Sequence, residues 1–143
     1  MSAWLIAFAV AITGYPPPER FPDIITRSVA WFETHCAARH CAGRMITHGN
    51  KIIIAADQDI LNNTAAQALL VHEIIHILQT NAYGKATSCA ERLRREREAI
   101  MGQVIYLSRL KPVSRVDVGM VLRGYHCRRS PASQPPRGLA DTE

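Results

Sequence analysis

One run in this chain of 143 residues has residue types and spacing that could do chemistry: Val71-His72-Glu73-Ile74-Ile75-His76. In a helix, residues four apart lie one above the other on the same face. His72 and His76 would then turn two imidazoles toward one metal ion. Such a pair suits Zn²⁺, whose catalytic sites take three protein ligands and keep a further position open for water. Glu73, one position round the helix, could reach that water and act as a general base. An H-E-x-x-H run therefore points to metal-assisted hydrolysis. The blander reading is a core helix that happens to carry two histidines and an acid. It is the weaker one, because burying all three without a metal leaves polar groups in need of partners.

A helix must stand here for this to work, and the flanking residues favour one. Asn62-Asn63-Thr64 offers capping residues, and Ala65-Ala66-Gln67-Ala68-Leu69-Leu70 consists of good helix formers. Leu70, Ile74, Ile77 and Leu78 recur at helical spacing, and Gly84 supplies a stop, so a helix is predicted from about Thr64 to Thr80. A third ligand has to come from elsewhere. A histidine six residues beyond His76 would mark the metzincin pattern, but that position is Ala82, which excludes it. The acids lie on a second predicted helix, roughly Cys89 to Leu110, with an apolar stripe of Leu93, Ile100, Val104 and Leu107 and a stop at Pro112. Projected at about 100° per residue, Glu96 falls with Ile100, Gln103 and Leu107 at the edge of the core-facing stripe. Glu91 and Glu98 fall on the opposite, arginine-lined face with Arg95 and Arg109. The expected metal ligands are His72, His76 and Glu96, with Glu98 the alternative third ligand and Glu73 the catalytic base.

These residues resemble those of the gluzincins, H-E-x-x-H zinc peptidases whose third ligand is a Glu on a following helix. Glu96 lies twenty residues after His76, a spacing like that of the thermolysin-type enzymes. Glu96-Arg97-Glu98-Ala99 also looks like the E-x-x-A of small single-domain proteins of this class. More narrowly, the run from His72 to Gln79, followed by Cys89, Glu96 to Ala99 and Gln103, looks like a group of small exported bacterial proteins of unassigned function. The resemblance covers about Leu69 to Leu107 and implies a zincin-like fold, a Zn²⁺ cofactor and a peptide or protein substrate. One feature departs from the pattern. Thermolysin-type enzymes place an Asp four residues beyond the ligand Glu to orient a zinc-bound His. Here that position is Ile100 counted from Glu96, or Gly102 counted from Glu98. Gln79 and Gln103 are the nearest polar substitutes. Tyr106, Tyr125 and His126 are the candidates for a transition-state donor.

The length suits one domain with one sizeable core. A net charge of +5 invites a nucleic-acid partner, but the arginines of residues 91–98 alternate with Glu and aromatics are scarce, so none is expected. Residues 1–12 are almost wholly apolar, too few to span a bilayer, and Ala9-Val10-Ala11 resembles a cleavage site. A signal peptide is expected over 1–11, although it lacks a basic start; a buried first strand or helix is the alternative. The even cysteine count fits two disulfides in an oxidising compartment, periplasmic or extracellular. Locality pairs Cys36 with Cys41 and Cys89 with Cys127.

The proline-rich stretch from Gly14 to Pro22 reads as an extended arm. Asp23 to about Ala38 reads as a helix capped by Asp23. Met45 to Ala55 reads as a hairpin turning at Gly49-Asn50, whose second strand, Ile52 to Ile54, could offer its edge to an extended substrate. Ser114 to Arg123 reads as a short last helix and 130–143 as a disordered tail. The expected fold is thus α+β, a single domain over 12–129: a small antiparallel sheet packed on the motif helix and on the Glu96 helix. The expected function is zinc-dependent peptide hydrolysis. Its rivals are a non-catalytic zinc-binding protein and a cytosolic regulatory peptidase acting on one partner.

Overall fold

The computed structural model describes residues 2–36, 44–110 and 127. The elements run α1 (Ser2–Thr13), β1 (Asp23–Arg27), α2 (Val29–Cys36), β2 (Met45–His48), β3 (Lys51–Ala55), α3 (Thr64–Tyr83) and α4 (Cys89–Leu110). The fold is α+β, as the sequence predicts, but the sheet is mixed. The hairpin β2–β3 is antiparallel, and β1 adds to the far side of β3 in parallel, giving the order β1-β3-β2. Residues 23–27 are therefore a strand and not the start of a helix. The β-branched run Ile24-Ile25-Thr26 pairs with Ile52-Ile53-Ile54. The helix starts only beyond Ser28, whose Oγ accepts from the backbone of Trp31 at 3.2 Å. Since β3 is flanked on both sides, the strand expected to offer an edge has none free. The outer edge on the hairpin side belongs to β2.

Gly49, with φ 59°, supplies the left-handed residue that this two-residue hairpin needs at its first turn position. The register sets Met45 opposite Ile54 and Thr47 opposite Ile52. Alternation along a strand thus puts Met45 and Thr47 on one face with the buried Ile52 and Ile54, the face turned to α3.

α3 is the central element. Asn63 caps it, its side chain accepting from the backbone of Ala65 and Ala66 at 2.9 and 3.2 Å. Gly84, with φ 73°, ends it and returns its N–H to Thr80 O. The helix buries residues nearly all round, because the sheet covers one side and α4 and α1 cover the other. α4 begins with Ser88 accepting from Glu91 N, while the Glu91 carboxylate accepts from Thr87 N, a reciprocal cap. Farther along, Gly102 allows a close approach. A Cβ there would lie 2.1 Å from Cδ1 of the buried Ile75 and 3.2 Å from that of Ile12. The three helices meet at this point, and only a missing side chain lets α4 lie so near α3.

α1 holds the leader-like apolar run. Leu5, Ile6 and Ala9 are buried in the common core against α3, while Trp4 faces outward. No helix among the described residues is long and apolar enough to cross a membrane. Cys89 and Cys127 form a disulfide with Cα atoms 5.6 Å apart. Cys36 is also disulfide-bonded, and its expected partner Cys41 lies outside the described residues. So do the expected last helix and tail.

Candidate metal centre

Two helices bring the candidate ligands together. His72 and His76 project one turn apart from α3, and Glu96 projects toward them from α4. His76 Nε2 lies 3.0 Å from His72 Nε2 and 2.8 Å from Glu96 Oε2; His72 Nε2 lies 3.5 Å from the same oxygen. A tetrahedral ion with bonds of about 2.0–2.1 Å would set its ligand atoms roughly 3.3 Å apart. The three observed edges scatter about that length, so the donor set fits Zn²⁺ in both chemistry and size. The His72 side chain is 5% exposed, against 24% for His76 and 17% for Glu96. The accessible side of the triangle is therefore at His76 and Glu96.

Proton placement argues the same way. Gln79 is fully buried, and its Nε2 donates to Arg95 O at 2.9 Å and to Glu98 Oε2 at 2.7 Å. Its Oε1 is thereby turned toward His76 Nδ1, 2.9 Å away, and Nδ1 must carry the proton that joins them. The lone pair of Nε2 then faces a carboxylate oxygen and a second imidazole nitrogen. Such a convergence of electron pairs is stable only around a cation, either a proton or a metal. Burial pushes His76 down, but the hydrogen bond and charge of Glu96 outweigh this and leave it above 6.5. Burial likewise pushes Glu96 up, and the two imidazoles more than reverse it, holding the carboxyl well below its ordinary range.

Glu73 is buried on the sheet side of α3. Thr47 Oγ1 donates to Glu73 Oε2 at 2.6 Å and also lies 3.2 Å from the Glu73 carbonyl. Burial raises its carboxyl above 4.5, although His76, His72 and the Thr47 hydrogen bond all pull it down. Thr47 was not a candidate from sequence. Its signal is its register position, inward on the strand beside the motif helix.

Other expectations need correction. Glu98 does not sit on a solvated arginine face. It is half-buried and accepts from Gln79 and from Tyr15 Oη at 2.7 Å. Arg95, placed on that same face by projection, is buried and donates to Gly84 O at 2.7 Å while pairing with Glu91. Tyr106 is no transition-state donor here, since its hydroxyl binds Gln67 Oε1 at 2.6 Å in the first turn of α3. Tyr125 and His126 lie outside the described residues. Of the two glutamines offered as polar substitutes, Gln79 takes the position beside a candidate ligand.

The chain matches a family model described as the eCIS core domain over residues 32–84. That span runs from Phe32 in α2 through the hairpin to the cap of α3, taking in His72, Glu73, His76 and Gln79 but ending before Glu96. It covers little more than a third of the chain. No curated protein and no solved structure matches.

Proposed function

We propose that the protein is a zinc-dependent hydrolase of peptide bonds. One observation carries the reading: two imidazole nitrogens and a carboxylate oxygen converge from α3 and α4 within 4.8 Å of one another, with a second, buried carboxylate next in sequence to the first histidine. His72, His76 and Glu96 would hold the ion. The chemistry it supplies when bound is a Lewis acid for the scissile carbonyl and a more acidic water. Glu73 then has the general-base role, taking the proton of the attacking water and returning it to the departing amine. Thr47 keeps that carboxyl aimed. An extended peptide would lie along the edge of β2, the strand that carries Thr47, with which no described strand pairs. The gluzincin-like spacing of His76 and Glu96 supports the same class. An oxidising compartment, periplasmic or secreted, suits the disulfides.

The test compares wild type with His76→Ala and Glu73→Gln for zinc content and for cleavage of a broad peptide library. Wild type should hold about one zinc per chain, and His76→Ala should lose it. Glu73→Gln should keep the zinc and lose about 10²–10⁴-fold in rate. Cleavage unchanged in Glu73→Gln, or absent from zinc-loaded wild type, would leave a non-catalytic zinc protein as the reading.

A further inference from the structure

We infer that Gln79, Glu98 and Tyr15 form a positioning chain that fixes the ring of His76 with Nδ1 protonated and Nε2 turned to the ion. The inference rests on the metal-centre reading and extends it to three residues that would not touch the metal. Four groups are joined in series: Tyr15 Oη to Glu98 Oε2 at 2.7 Å, Glu98 Oε2 to Gln79 Nε2 at 2.7 Å, and Gln79 Oε1 to His76 Nδ1 at 2.9 Å. Each bond has a forced direction. A carboxylate only accepts, so Gln79 must give Glu98 its amide N–H, and the Arg95 carbonyl takes the other N–H at 2.9 Å. The amide oxygen then has one orientation, and the imidazole one tautomer.

The two histidines differ in this respect. His72 Nδ1 is buried with no hydrogen-bond partner among the described residues, so no bond on that side of its ring fixes the tautomer. His76 is the more exposed ring and would swing without a tether. The chain ends at Tyr15, just past the Gly14 that closes α1, where the ring also packs edge-on against Tyr83 at 5.7 Å. Glu98 is thus the acceptor that holds the Gln79 amide in one orientation, and the amide passes that orientation to the His76 ring. Partners of this kind typically change metal affinity by about 10–100-fold.

The experiment measures zinc affinity by chelator competition, together with His76 ring ¹⁵N shifts in metal-free protein at alkaline pH. The variants are Gln79→Met, Glu98→Ala, Glu98→Gln and Tyr15→Phe. Gln79→Met and Glu98→Ala should bind zinc about 10–100-fold more weakly. Gln79→Met should also turn a single Nδ1–H tautomer into a mixture. Glu98→Gln keeps an acceptor oxygen and should stay near wild type. Tyr15→Phe removes one oxygen atom, should fold normally, and should cost a few-fold. Equal zinc affinity in wild type, Gln79→Met and Glu98→Ala overturns the chain while leaving the metal centre intact. Glu98→Gln as weak as Glu98→Ala overturns it too, since charge rather than hydrogen bonding would then matter. A wild type that binds no zinc overturns the metal reading, and the tautomer measurement still decides whether the chain orients the ring.

Discussion

The two sides of α3 treat a carboxylate in opposite ways. On the sheet side Glu73 is dry and meets one neutral donor, Thr47, so burial dominates and its carboxyl is pushed up. On the α4 side Glu96 is partly open and meets two imidazoles, which reverse the effect of burial and hold it down. Environments that drive two neighbouring carboxyls apart assign them different work: the raised one can carry a proton, and the lowered one stays an anion. The sheet side therefore suits the proposed proton carrier and the α4 side the proposed ligand, from the same residue type.

The largest break in this contrast should come from Glu96→Ala. It removes the anion that faces both histidines, so zinc content and melting temperature should fall together, because a site assembled on folding contributes its binding energy to stability. Retained zinc in Glu96→Ala, measured by metal analysis, would mean that the α4 side does not supply the ligand. Thr47→Val acts on the other side alone. It should leave zinc content unchanged and slow cleavage about tenfold, the equivalent of one ordinary hydrogen bond. A loss of zinc in Thr47→Val would show that the two sides are not separable.

The smallest effect is one of pH, and it runs in opposite senses with and without metal. In the metal-free chain Glu96 is lowered below 4.5, so its contribution is present above that value and is lost as pH falls toward the folded pKa. His76 is raised above 6.5, so its contribution is present below 6.5 and is lost as pH rises through the folded value. Glu73, raised above 4.5, adds to that decline, because ionising it is harder in the folded state. Metal-free protein should therefore melt highest near about pH 4.5, where Glu96 is ionised and the cost of ionising Glu73 has yet to set in. Zinc needs His76 neutral, and its charge favours an ionised Glu73, so stabilisation by added zinc should grow as pH rises. Melting curves at several pH values, with chelator and with zinc, check both slopes. Parallel slopes would remove the contrast.

Much of this arrangement can be read from particular residues. Asn63, Gly84 and the apolar spacing between them define α3, and projection of α4 selects Glu96, because an inward angle on a helix is a local property. What covers each angle is not local. Projection sets Glu98 and Arg95 away from Glu96 correctly, yet that face is roofed by the C-terminal end of α3 and by Tyr15, reached across 83 residues of sequence. β1 was hidden for a related reason. Ile24, Ile25, Val29 and Phe32 make a serviceable helical stripe, and only pairing with Ile52 to Ile54 decides for a strand. The parallel partner of β3 is a tertiary fact that no hairpin pattern carries.

The bridge between Cys89 and Cys127 acts most strongly on the chain when it is not folded. It closes a loop spanning 38 residues, and ring closure of that length removes roughly 4 kcal/mol of conformational freedom from the unfolded ensemble. Glu96 and Glu98 lie inside the ring, while His72, His76 and Gln79 lie outside it. In the oxidised, unfolded chain the carboxylate half of the candidate site is thus confined within the ring, and assembling that site becomes the docking of one preclosed ring on one helix.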